Sequence, residues 1–231
     1  MVAASKRRVG ILGGSFDPVH NGHIGLAIQV RERFHLDGIL FIPAYISPHK
    51  LNKRPTASNH RLAMLRLATA SQPFFSISAI ELVRKKVSFT IDTLTALLRK
   101  RPETEFYLIV GMDAFEGFNT WKAVHRLLEL CHVIVAARPG YASEKVEETL
   151  TKIFIDSSTP YAPGIREGDM LRYNHLEKKT TLSFFDLPPV AVSSSQIRER
   201  IRGGEEIKNM LPPEVENYII ENQLYRSNSH P

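Results

Sequence analysis

The sequence predicts an α/β protein built on an open parallel sheet with helices on both faces. Three observations carry this. Short apolar runs without a two-residue period, above all Gly38–Pro43 and Glu105–Val110, read as strands buried on both sides. Stretches with apolar residues at helical spacing lie between such runs. Near the N-terminus, Val9-Gly10-Ile11-Leu12 runs into Gly13-Gly14 and then into a helix at Ile24-Gly25-Leu26. That order of strand, glycine turn and helix places a phosphate at strand carboxyl ends and a helix N-terminus.

Within the first turn, Gly13 and Gly14 lack Cβ, so ligand oxygens can come close to their N–H groups. His20 and His23 are three apart at the helix start, which puts both imidazoles on one face over the positive end of the dipole. The pair could also ligate a metal with Asp17 as a third ligand, although the HExxH pattern of zinc proteases is missing and no cysteine lies nearby. The helix runs to about Phe34. Gly38–Pro43 is the second strand, and the loop Ala44–Lys50 leaves its carboxyl end, so His49 and Lys50 can reach the same crevice. Residues 57–70 form an amphipathic helix with Ser58 as a plausible cap, Phe74–Ser78 a short third strand, and Glu81–Lys86 a charged turn.

Thr90 reads as the cap of the next helix, with Asp92 in its first turn; the same helix start can hold a carboxylate. Glu105–Val110 is the clearest strand and ends in Gly111-Met112-Asp113. Asp113 and Glu116 fit an Asp-x-x-Glu cap, and a carboxylate just beyond a central strand can also accept from ribose hydroxyls. Trp121, the single tryptophan, reads either as core packing or as a plate for a planar ring. Cys131–Val135 reads as a strand with Cys131 as a small core residue. The strand closes at Arg138-Pro139-Gly140, where Arg138 either forks onto phosphate or sits in a surface turn. Residues 141–181 read as an irregular surface excursion with a charged helical stretch near Glu144–Leu150. Leu182–Phe185 is a final strand. Ser193 and Gln196 fit a capping box, and Ser193, Ser194 and Ser195 with Arg198 one turn in make a second anion site. A last helix starts at Leu211-Pro212-Pro213, with Val215, Tyr218, Ile219 and Leu224 on one stripe.

The chain of 231 residues suits a single domain with the excursion at about 141–181 and a helical end at about 193–225. No apolar run approaches the ~18 residues of a membrane span, and no signal peptide is recognisable, so a cytoplasmic protein is expected. One cysteine excludes an intrachain disulfide and suits a reducing compartment. The net charge of +6 fits polyanionic partners, either nucleotide phosphates or nucleic acid, while solvated helix ends account for most of the basic groups.

Taken as strings, these residues are more specific. Gly13–His23, GGSFDPVHNGH, resembles the GxFDPxHxGH signature of the nucleotidyltransferase superfamily, with Ser15 where many members have Thr. Val192–Arg198 resembles its second signature, ISSTxIR. Pro48-His49-Lys50 is similar to the PPHK loop of the nicotinate mononucleotide branch, and Ser88–Leu94 to its SYTxDTL segment, with Phe89 for Tyr. Gly111, Asp113, Phe118 and Trp121 match pieces of GxDxxxxFxxW, and Arg138-Pro139-Gly140 matches RPG. From Arg8 to Tyr225 the chain follows this family in order. The resemblance is to bacterial nicotinate-nucleotide adenylyltransferases, and it implies a Rossmann-like sheet and adenylyl transfer from ATP to nicotinate mononucleotide.

The resemblance further implies that His20, His23 and Arg198 are catalytic, and that Gly13, Gly14, Ser15, Phe16, Gly111, Asp113, Arg138, Ser193, Ser194 and Ser195 bind ATP. It gives Lys50, Thr90 and Trp121 to the acceptor and Mg²⁺ to the ATP, with no metal site of the protein's own. No nucleic acid or membrane partner is implied, and a homo-oligomer stays open. Another nucleotidyltransferase with a nicotinamide mononucleotide or phosphopantetheine acceptor is the nearest alternative. A basic nucleic-acid-binding module or a catalytically dead sensor is a more distant one.

Overall fold

The computed structural model describes residues 6–48, 54–137, 143–154, 160–187 and 192–226. Their strands form one eight-stranded sheet in the order β3-β2-β1-β4-β5-β8-β7-β6. These are β1 Arg7–Gly14, β2 Gly38–Pro43, β3 Phe75–Ile77, β4 Thr104–Gly111, β5 His132–Ala137, β6 Ile165–Glu167, β7 Met170–Asn174 and β8 Thr181–Asp186. The first five strands and β8 run parallel, while β7 pairs antiparallel with both β8 and β6. The expected parallel sheet therefore becomes mixed at one edge.

The parallel strands carry almost unbroken apolar runs because both faces are covered. Val9, Ile11, Leu40, Leu108, Val110 and Val133 face one core. Their neighbours Leu12, Ile39, Phe41, Ile109 and Ile134 face the other, as the two-residue alternation of a strand requires. The first core packs under α4 Thr90–Lys100, α6 Val124–Leu130 and α7 Ser143–Ile153, and the second under α1 Asn21–Arg33, α2 Ser58–Thr69, α8 Ser194–Arg202 and α9 Pro213–Glu221. Two short helices complete the set, α3 Ile80–Arg84 and α5 Met112–Glu116.

Five local expectations change. Ser58 is the first helical residue of α2; Ala57 is the cap and no side chain caps it. The charged stretch at Glu81 is the helix α3 rather than a turn, with Glu81 and Leu82 buried on its inner side. Thr90 is the first helical residue of α4; Phe89 is the cap and no side chain caps it. Asp113 likewise lies inside the first turn of α5, whose cap is Gly111. Cys131 sits at the joint between α6 and β5, buried against Leu127 O, rather than within the strand.

The excursion at 141–181 is ordered where it is described. Val146, Leu150 and Ile153 bury one face of α7, and β6–β7 form a hairpin that extends the sheet. Gly168 turns it, with φ of +64°, a conformation that glycine adopts without a Cβ clash. The hairpin escaped a periodicity reading because β6 is three exposed residues long.

Candidate active site

The strand order reverses between β1 and β4: the chain goes outward from β1 to β3, then returns to β4 on the other side of β1. In open α/β sheets this reversal opens a crevice beyond the strand carboxyl ends. A cavity of about 390 Å³ lies there, bordered by Gly13, Ser15, His23, Thr90, Gly111 and Trp121. A side chain at Gly13 or Gly111 would project into open space. Gly14 also borders the cavity. A Cβ there would stand 3.3 Å from the ring of Phe16, tight enough that the ring would have to shift by a few tenths of an ångström.

Phe16 is buried and points away from solvent, its backbone at φ 47°. Its ring meets the His23 imidazole edge-on at 5.0 Å between centroids. His20 caps α1 in extended backbone geometry, and its ring lies 3.7 Å from that of His23. The His20 backbone N–H donates to His23 Nδ1 at 3.2 Å. An accepting Nδ1 leaves the proton of the neutral His23 ring on Nε2, so Nε2 is a donor. His20 is only 7% exposed, and burial pushes its pKa down to about 4. Its Nδ1 is buried with no hydrogen-bond partner, the kind of orphaned polar atom that functional sites retain. The helix start is not wholly free for a ligand, because Asn21 N–H donates to Met210 O at 3.0 Å.

The neutral, buried His20 has a consequence for stability. Above about pH 6.5 the ring is uncharged in both folded and unfolded chains. Between 6.5 and about 4 the unfolded chain binds a proton that the folded chain refuses. Stability therefore falls with pH through this window, by roughly 3 kcal/mol in full, and levels off below it. Urea midpoints of wild type and His20→Asn between pH 4 and 7.5 should converge, then cross in favour of the variant, as the pH drops.

The second signature docks onto the first across the molecule. Ser194 Oγ donates to Pro18 O at 2.9 Å, and Arg198 donates to Asp17 O at 2.6 Å and to Ser195 Oγ at 3.2 Å. Ser193 Oγ accepts Gln196 N–H at 3.2 Å, so it caps α8 as its position suggests. The start of α8 is thereby held against Asp17 and Pro18, the loop that leads into His20. Phe16, His20, Ser193, Ser194, Ser195 and Arg198 do not themselves border the cavity of about 390 Å³.

Two residues to which the sequence assigned no site role hold this junction. Arg61 of α2 is 1% exposed and donates to Thr56 O, Ser15 O and Ala44 O at 2.8, 2.7 and 2.8 Å. Tyr225, beyond α9, donates to Asp17 Oδ1 at 2.7 Å, and Thr56 N–H donates to Asp17 Oδ2 at 3.1 Å. Asp17 is thus a tie point rather than one member of a metal triad. Among the described residues no group of three or more His, Cys, Asp or Glu is placed to hold a metal. Neither Arg61 nor Tyr225 belongs to a glycine- or histidine-rich string, and nothing local signals what they bind.

Trp121 also borders the cavity. Its ring packs on Phe118, 4.4 Å between centroids. Lys122 pairs with Asp92 of α4 at 3.0 Å, next to the start of α4 at Thr90. Glu81, also on the cavity wall, accepts from Thr93 Oγ1 at 2.6 Å, and Arg84 donates to that same hydroxyl at 2.6 Å. Asp113 is exposed and does not border this cavity. Lys50, His49 and Arg138 lie outside the described residues. A larger open groove, about 1010 Å³, runs between α8 and α9 and contains none of the expected site residues.

Known proteins resemble the chain over nearly its whole length. The family model described as cytidylyltransferase-like matches residues 11–200. A protein of Thermoanaerobacter sp. (strain X514) named "Probable nicotinate-nucleotide adenylyltransferase" is 39% identical over 95% of this chain and 94% of its own. One of the same name from Desulfitobacterium hafniense (strain DSM 10664 / DCB-2) is 37% identical over 97% of this chain and 99% of its own. Among solved structures, the nicotinic acid mononucleotide adenylyltransferase of Plasmodium falciparum complexed with NaAD shares the fold. Its TM-score is 0.70 at 19% identity, covering 95% of this chain and 97% of that one. The chain belongs to the cytidylyltransferase-like family and, within it, to the nicotinate-nucleotide adenylyltransferases.

Proposed function

We propose that the protein transfers the adenylyl group of ATP to nicotinate mononucleotide, giving deamido-NAD and pyrophosphate as a step of NAD biosynthesis. The observation that carries this reading is the cavity at the β1–β4 reversal. It is bordered by the His23 imidazole and the Gly13–Ser15 backbone as well as by Thr90 and Trp121.

A 5′-phosphate oxygen of the acceptor attacks the α-phosphorus of ATP. The bond from that phosphorus to the oxygen bridging to the β-phosphate breaks, and pyrophosphate leaves with the electron pair. No protein nucleophile is required, so the protein contributes position and charge neutralisation. His23 Nε2–H and the neutral His20 donate to the transferring phosphoryl group. Arg198 and the α8 start at Ser193–Ser195 hold the β- and γ-phosphates. The backbone from Gly13 to Phe16 lines the nucleotide, and Gly111 with Asp113 serves the adenosine side. Thr90 and Trp121 receive the nicotinate carboxylate and ring. Lys50 and Arg138 add positive charge toward the phosphates. Mg²⁺ arrives as part of the nucleotide substrate, since it commonly keeps waters and substrate phosphates as ligands.

Pyrophosphate release with ATP and Mg²⁺ tests the reading, with nicotinate mononucleotide and nicotinamide mononucleotide run side by side. Strong release with the acid and little with the amide is expected. Equal rates would remove acid selectivity, and no release with either would overturn the acceptor assignment.

A further inference from the structure

Arg198 is the cation of α8 nearest the loop that holds His20, and Asp17 is an anion buried against that same loop. A guanidinium and a carboxylate that meet usually join in a bidentate pair, and a guanidinium held that way is lost to a phosphate. Here they do not join so. Arg198 donates to the backbone oxygen of Asp17, and among the described residues the two side chains form no salt bridge.

The reason lies in what occupies the carboxylate. Asp17 is 8% exposed, and Thr56 N–H covers Oδ2 while the Tyr225 hydroxyl covers Oδ1. Arg61, whose charge Asp17 also feels, directs its N–H groups to three carbonyls instead. Burial and the neighbouring Asp17 charge push the Tyr225 hydroxyl well above its usual range, so it remains a neutral donor at any physiological pH. Of the two covers, the backbone N–H cannot be withdrawn by a side-chain change, and the hydroxyl can.

We propose that Tyr225 is a positioning residue for the nucleotide: by covering Asp17 Oδ1 it prevents that carboxylate from capturing Arg198, and so keeps the guanidinium available to the triphosphate. This rests on the reading of Arg198 as a phosphate ligand. The C-terminal segment then does more than close the second core. It sets how tightly ATP binds, from a residue with no place of its own in the cavity wall.

Steady-state kinetics of the full chain with Mg²⁺-ATP and nicotinate mononucleotide test this. Tyr225→Phe keeps the ring and removes only the hydroxyl. It is expected to raise the KM for ATP about tenfold, the factor of one lost charge-assisted contact, with the KM for the mononucleotide within about twofold of wild type. Adding Asp17→Asn removes the charge that captures Arg198 and is expected to bring the ATP KM back toward wild type. An unchanged ATP KM in Tyr225→Phe overturns the inference, as does an equal rise in both KM values or a double variant no better than the single one. Arg198→Ala separates the two layers. If it leaves the ATP KM unchanged, the phosphate role of Arg198 fails; if it raises that KM while Tyr225→Phe does not, the role of Tyr225 alone fails.

Discussion

His20→Ala should lower the turnover number by about two to three orders of magnitude while the chain still folds. The size follows from where the ring sits. It is buried at the cap of α1 and packed at a tilt against His23, and with its pKa pushed down to about 4 it is neutral when the enzyme works. A neutral donor fixed before the substrate arrives needs no reorganisation as charge builds on the transferring phosphoryl group. That is the condition under which one hydrogen bond contributes most to catalysis. The folded state loses little in exchange. The buried Nδ1 has no hydrogen-bond partner, so no buried bond through that atom is lost with the ring. Rates of pyrophosphate release at saturating substrates, read beside a thermal unfolding curve, check both halves. Turnover within a few-fold of wild type would remove His20 from the mechanism.

Arg61→Met should destabilise the protein by about 3–5 kcal/mol and lower the melting temperature by about 10 °C. Methionine fills similar volume, so the loss is not mainly a cavity. The substitution leaves Ser15 O, Ala44 O and Thr56 O without donors in a place that solvent hardly reaches. It also removes the positive charge beside Asp17. Removing one partner from a buried charged network costs far more than the network contributes on balance, because the groups left behind stay desolvated. Arg61→Lys should recover only part of the loss, since an ammonium cannot reach three carbonyls with the guanidinium's planar fork. Urea unfolding of the three proteins decides it, and a Met variant within about 1 kcal/mol of wild type would refute the account.

Much of the site was legible in the chain because it consists of strings. Gly13–His23 carries its turn, cap and donors within eleven residues, and the structure places Gly13, Gly14, Ser15 and His23 on one cavity with Thr90, Gly111 and Trp121. The strands were legible for a similar reason. A strand covered on both faces must be apolar throughout, so Gly38–Pro43 stands out with the bounds it has in the sheet.

What was hidden consists of single residues and of short pieces. Arg61 looks like any surface cation of an amphipathic helix, and Tyr225 like the end of a tail. Asp113 sits at the edge of β4 as expected, yet its side chain is exposed and off the cavity. The hairpin β6–β7 is too short and too exposed for a pattern to emerge.

Local order, then, was set by the sequence itself for the long elements: which apolar runs are buried strands and which amphipathic stretches are helices. Those properties depend on side-chain periodicity and backbone conformation within a few residues. The tertiary structure alone decided that β1 and β4 are neighbours, that α8 meets the loop 181 residues away, that a buried arginine ties Ser15, Ala44 and Thr56 together, and that a tyrosine holds Asp17. Contacts of that range come from chain topology and the packing of two cores, and a single sequence carries no local signal for either.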